Sequence, residues 1–303
     1  MPDLNTKEQL IRIGKGLMEP QDFRFNNQMT PEKTNSFISM VVADNNFLSQ
    51  VHTERMRELS KPLDVWDIEP EQLVRNHRRK PTADELVGMV NKGRLLTALK
   101  VKLNAKITLE AMRDNQDNPQ IMRFFENSLT TVFRNDLTNL AFNGVGDDGS
   151  DFKNLNEGWI KLATDRPKCK KITINPTTDG WAKSLLKIVE AADSRYESAS
   201  DIIMNRKDYL KYSYEMGARV IGSPTIADRK DYDFLGIDIK PVNHIPAGSV
   251  LFTPVKNLVF GVNTLIRRDK EYDIDEEALI IVFNWAIDYL FRIDEAVVLA
   301  TTA

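Results

Sequence analysis

The chain has 303 residues, with 41 Lys and Arg against 44 Asp and Glu and 42% hydrophobic content. That balance supplies enough apolar mass for a real core and excludes a global basic field for nucleic acid or acidic lipid. A single cysteine, Cys169, excludes an intrachain disulfide framework and points to a reducing compartment.

The length suits two domains or one elaborated domain. MPDLNTKEQLIRIGKG, at the N-terminus, lacks an apolar segment and is not a secretory signal. Leu4, Leu10, Ile11 and Leu17 fit a short amphipathic helix stopped by Pro20. Thr30 as N-cap and Pro31 at the first helical position predict a second helix from Pro31 to Val51, with Phe37, Val41 and Leu48 on one side. Alone, residues 1–60 read as an arm that lies on something else.

Residues 61–94 are the most charged stretch and include RNHRRK, Arg75 to Lys80. They hold too few large apolar side chains for a core of their own and read as a long, two-stranded excursion. Leu95, Thr97, Leu99, Val101 and Leu103 then alternate as in a strand. Ile107 to Asp114 reads as a strand end or a short helix.

The clearest helix runs from Pro119 to Asn143, with Asn118 as N-cap and Gly144 as the stop. Met122, Phe125, Leu129, Val132, Phe133, Leu137, Leu140 and Ala141 mark its apolar stripe. Its rod length is roughly 37 Å. After the loop GVGDDGSD and the segment around Trp159, residues 172–263 alternate helix and strand. Trp181, Leu185, Ile188 and Val189 line a helix, DIIMN is a buried strand, RKDYLKYSYEM is a helix, and GIDIKPV, SVLFTP and NLVFGV are short strands.

LIIVFNWAIDYLFRI, Leu279 to Ile293, is the most apolar run. It is shorter than the roughly 18 apolar residues of a membrane span and carries Asn284, Asp288 and Arg292. Leu279, Ile281, Phe283, Trp285, Ile287, Tyr289, Phe291 and Ile293 share one parity and are all large and apolar, whereas the other parity turns polar toward its end. Period two over this length predicts a long strand with one face fully buried, and the long helix is the natural element to lie across it.

No catalytic constellation emerges. His52, His77 and His244 lie far apart in sequence without metal-ligand spacing and read as surface or structural residues. Cys169 has neighbouring lysines but no partner base in its sequence context. Asp147, Asp148 and Asp151 cluster with glycines, but the calcium-loop spacing is absent. The carboxylates between Asp269 and Glu277 read as an exposed strand face. No phosphate-binding glycine loop is present, so neither cofactor nor metal is expected. Charge in RNHRRK suits a solvated face or a contact between subunits. A chain of this kind favours a structural or interaction role, with partners burying the segments that cannot bury themselves.

Taken in order, these segments resemble the major capsid proteins of tailed bacteriophages. The segment LKVKLNAKITLEAMRDNQDNPQIMRFFENSLTTVFRNDLTNLAFNG resembles the strand, short helix and long spine helix of that family. NLNEGWIKL, DIIMNRKDYLKYSYEM, GIDIKPVNHIPAGSVLFTPVKNLVFGV and IRRDKEYDIDEEALIIVFNWAIDYLFRIDEAVVL resemble successive later parts, so the likeness covers about residues 95–303. More narrowly it is similar to the contractile-tailed temperate branch.

The resemblance implies an α+β Hong Kong 97-type fold. Its parts would be an N-terminal arm (1–60), an extended E-loop (61–94), a peripheral domain (95–160 and 264–303) and an axial domain (161–263). It implies a non-enzymatic subunit of hexamers and pentamers, in an icosahedral virion shell that encloses double-stranded DNA and is assembled in the bacterial cytoplasm. Met122, Phe125, Phe133, Phe283, Trp285 and Tyr289 would build the peripheral core, and Arg75, Arg78, Arg79 and Lys80 would grip neighbouring subunits. Implied partners are further copies of the chain, portal, scaffolding and decoration proteins, and the packaged DNA through non-specific contact, with no membrane. Because the chain begins at Met1 without a long charged helical segment, scaffolding by a separate protein, or none, is expected. No Lys–Asn crosslink is assignable. An encapsulin-like nanocompartment shares the fold, and a small soluble enzyme is the reading from another class.

Overall fold

The structure is a computed structural model. It describes residues 47–64, 66–67, 90–91, 93–108, 121–146, 151–219, 233–273 and 276–302, together with Thr34, Ile38 and Glu110; the side chains of 66–67, 90–91, 121–127, 217–219 and Lys270 lie outside this description.

Two sheets organise the described residues. The first is built on β14, Ala278–Phe291, a strand of 14 residues. β6, Leu99–Thr108, pairs antiparallel along one edge of it. Along the other edge run β12, Leu258–Asn263, and β13, Arg267–Asp273, end to end. Val262 pairs with Ile287 but Arg267 pairs with Asn284, so residues 263–266 stand opposite only Trp285 and Ala286. Asn263 secures this bulge: its Oδ1 accepts the Leu265 N–H at 2.7 Å and its carbonyl accepts the Trp285 indole N–H at 2.9 Å. β1, His52–Met56, closes the sheet by pairing parallel with β12.

Across one face of this sheet lies α1, Ile121–Asn143. Phe133 and Trp285 rings meet at 5.0 Å, and Leu137, Leu140, Ala141 and Phe142 are all buried. Each large apolar side chain fully removed from water contributes roughly 2 kcal/mol. The expected stripe holds except at Val132, which is 52% exposed, and Thr130 and Thr138 are buried instead. Met122 and Phe125 belong to the side chains that are not described.

α1 ends at Gly144, whose N–H reaches the Leu140 carbonyl at 2.9 Å. The next helix, α2, Trp159–Asp165, starts directly against that end. The Gly158 N–H donates to the Gly144 carbonyl at 3.0 Å. A Cβ on Gly158 would lie 2.7 Å from the Leu140 carbonyl oxygen, and one on Gly144 would lie 2.2 Å from that of Asn156. Only glycine permits this approach. It seats Trp159 among Phe47, Phe142 and Tyr289.

The second sheet has six strands in the order β7-β15-β11-β8-β10-β9. These are Lys170–Ile174, Val298–Thr302, Ser249–Thr253, Asp201–Asn205, Ile237–Val242 and Asp233–Phe234. Ile203, Leu251 and Leu299 face the core shared with α1 and β14. Ile202, Met204, Val250 and Phe252 face the opposite way, toward the helices Trp181–Glu190 and Arg206–Arg219. Strands covered on both sides read as unbroken apolar runs, which explains DIIMN and SVLFT.

The outcome differs from expectation in four places. Phe47, Leu48 and Val51 are buried, and β1 is a sheet strand, so residues 47–56 belong to the body and not to a loose arm. Leu95 and Leu99 are 60% and 46% exposed, while Leu96, Ala98 and Val101 are buried. Parity flips there because Ala98 breaks the strand to hydrogen-bond Leu59, at 2.7 Å. β12 lies in the first sheet, although 161–263 was expected to form one unit, because it continues into β13 along β14. β15 lies in the second sheet, although 264–303 was expected in the first: β7 and β11 pair with its two edges, and the cores on both faces bury Val298, Leu299 and Ala300.

Candidate functional site

Among the described residues, the two ends of the charged excursion pair as a two-stranded ribbon. β2, Ser60–Leu63, pairs with β5, Arg94–Thr97, and β3, Trp66–Asp67, pairs with β4, Val90–Asn91. Its root is fixed from below. Leu63, Leu96 and Ala98 cover Ala286 and Leu290, on the face of β14 turned away from α1. The buried Asp294 takes Arg94 Nη1 at 2.7 Å, a second bond from Arg94 Nη2, and Arg166 Nη1 at 2.8 Å. A carboxylate shared by two guanidinium groups thus ties the ribbon, the end of α2 and the turn after β14 together. Asp288 Oδ2 accepts the Thr97 N–H at 2.8 Å, and burial pushes its carboxyl up to about 6. Neither anchor had a sequence signal, since Arg94 and Asp294 are 200 residues apart.

RNHRRK, with Arg75, Arg78, Arg79, Lys80 and His77, lies outside the described residues. Phe283, Trp285 and Tyr289 are buried with Phe133, and Arg268 stands 5.2 Å over the Phe283 ring.

Among the described residues, the candidates for chemistry stand apart from one another. Cys169 is buried, and burial followed by the Asp294 charge pushes its thiol up to about 12, so it stays protonated. His52 contacts Glu54 at 3.1 Å on an edge strand. His244 is lowered by burial, against the opposing charge of Asp136. Asp147 and Asp148 lie outside the described residues, and Asp151 precedes a short 3-10 turn, Phe152–Leu155. Asp269 accepts from Arg267 and Asn284, while Glu276 pairs with Lys106. Among the described residues no group of three His, Cys, Asp or Glu is arranged to hold a metal. An open groove of about 460 Å³ lies by Ala182, Leu186, Tyr212, Met216, Phe234 and Leu235. Lys183 and Asp233 also line it, and the rest of its lining is mostly apolar.

No protein-family model matches the sequence, and no curated protein matches it. Solved structures do. A subunit of the satellite phage P4 procapsid superposes with a TM-score of 0.66 at 13% identity, covering 88% of this chain and 98% of that one. The capsid of a native GTA particle gives 0.57 at 12% identity, over 88% and 91%. The SrpI encapsulin of Synechococcus elongatus gives 0.51 at 10% identity, over 84% and 85%. The chain has the Hong Kong 97-type fold.

Proposed function

We propose that this chain is the major capsid protein of a tailed phage, forming hexamers and pentamers of an icosahedral shell around double-stranded DNA. The observation that carries the reading is the match over 88% of this chain and 98% of a chain of the satellite phage P4 procapsid. A shell subunit does mechanical work, and the described residues are organised for it: two thin sheets share one core, and a ribbon is clamped at its root. Assignment to the contractile-tailed branch, assembly in a bacterial cytoplasm, and contacts with portal, scaffolding or decoration proteins and with DNA belong to this proposal.

In the same proposal, β1, β6, α1 and β12–β14 form the peripheral domain, β7–β11 and β15 form the axial domain, and the ribbon is the base of the E-loop, whose Arg75, Arg78, Arg79 and Lys80 grip a neighbour. Residues before Phe47 form the arm.

The test is expression of the full chain followed by sedimentation and negative-stain microscopy. Closed particles or capsomer rings are expected, and a monomer at all concentrations overturns the reading. The encapsulin neighbour favours a second reading, a protein-loaded nanocompartment. Purified particles carrying an enzyme cargo and no DNA, from the native host, would select it.

A further inference from the structure

Among the described residues, β6 and β13 each pair only with β14, on its two sides, and they carry opposite charge. On the face turned away from α1, β6 presents Lys100, Lys102 and Lys106, all exposed. On the same face β13 presents Asp269, Glu271 and Asp273 after Arg267. Between the rows stand Ile280 and Val282, only partly buried. Among the described residues no carboxylate pairs with Lys100 or Lys102, and a single copy holds the two rows apart across β14.

We propose that the β6 edge of one copy docks beside the β13 edge of a second copy, lysine row against carboxylate row, as a head-to-tail contact. This rests on the shell reading above and deepens it by naming a contact between copies. Three features support it. The carboxylates recur at every second residue of β13, about 7 Å apart, and Lys100 and Lys102 share that spacing on β6, with Asn104 standing between Lys102 and Lys106, so more than one pair forms in one register. Both strands run antiparallel to β14 and therefore point the same way, so an in-plane step brings them side by side. A two-fold contact between identical edges would set like charge against like, so the favourable arrangement is heterologous, the class of contact that forms rings when its rotation closes.

The test is a charge swap on the full chain, read by sedimentation, with circular dichroism confirming that each variant is folded. Lys100→Glu with Lys102→Glu makes both edges acidic, and Asp269→Lys with Glu271→Lys makes both basic. Each is expected to cut the assembled fraction about tenfold at ~0.1 M salt, with partial recovery near ~1 M salt as the repulsion is screened. Mixing the two variants, or combining all four substitutions in one chain, restores assembly.

Wild-type assembly by folded single-edge variants overturns the contact and leaves the shell reading intact. So does the failure of both the mixture and the combined variant to recover. If the basic-edge variant is unfolded, the Lys100→Glu/Lys102→Glu variant decides alone: full assembly at ~0.1 M salt, or a defect that ~1 M salt does not relieve, refutes the contact. Absence of particles from the wild type itself overturns the shell reading, and this contact with it.

Discussion

The hydroxyl of Tyr289 donates to the backbone carbonyl of Leu137 at 2.8 Å, fully buried where the long strand crosses the long helix. Burial and the neighbouring Asp288 hold this phenol well above its usual range, so it stays a donor at any working pH. Around it, Trp159 meets the ring edge-on at 5.5 Å and Phe260 stacks on it at 5.5 Å. Tyr289→Phe keeps the packing and removes one bond. The expected cost is about 1 kcal/mol in urea unfolding, with unchanged far-UV dichroism. No measurable loss would show that the bond adds nothing beyond packing.

Asp294 is the knot between ribbon, α2 and β14. Asp294→Ala leaves Arg94 and Arg166 partly buried without their carboxylate, and should cost about 3 kcal/mol. Hydrogen exchange should rise first at β5, because the ribbon pairs with neither large sheet and depends on this anchor. Uniform exchange across the chain would deny it that local role.

Asp288 gives a pH dependence of defined sign. Its carboxyl stands at about 6 in the fold against 3.8 ordinarily, with burial as the main cause. The folded state therefore favours the protonated form. The stability from this group is complete below pH ~4 and is lost as pH rises through ~6. Asp288→Asn removes that loss, so the variant should gain about 2 kcal/mol on the wild type between pH 4 and 7. A difference that does not change with pH would place the titration elsewhere.

Leu235 sits at the tip of the β9–β10 hairpin with φ of 54° and 78% exposure. A bulky residue in the left-handed region is strained, and asparagine tolerates that region far better. Leu235→Asn should therefore stabilise the isolated subunit, by about 0.5–1 kcal/mol. If Leu235 contacts a neighbouring copy, the same variant lowers particle yield while raising the melting temperature. A fall in melting temperature would contradict the strain.

Gly158→Ala should be, with Gly144→Ala, among the most damaging single-methyl changes near the core. The added Cβ meets the carbonyl oxygens of Leu140 and Ala141 within 2.8 Å, and backbone there cannot give way without moving α2 and Trp159. A loss of roughly 3 kcal/mol or an insoluble product is expected.

Sequence alone determined the elements whose signals are local. The parity of Phe283, Trp285 and Tyr289 set the buried face of β14. The spacing of Phe133, Leu137 and Leu140, with Gly144 at the end, set α1. Each follows from the period of a strand or a helix, which neighbouring residues carry by themselves. Tertiary structure decided what depends on distant partners. Leu95 looked like a core residue and is exposed, because Ala98 hydrogen-bonds Leu59 and shifts the parity. β15 follows β14 closely in the chain yet joins the other sheet, where β7 and β11 pair with its two edges and the cores on either side bury its alternating faces. Asp294 gained its two arginines, and Asp288 its raised carboxyl, from chain brought in by folding. Burial and charge are set by the sum of everything nearby in space, and no local stretch of residues contains that sum.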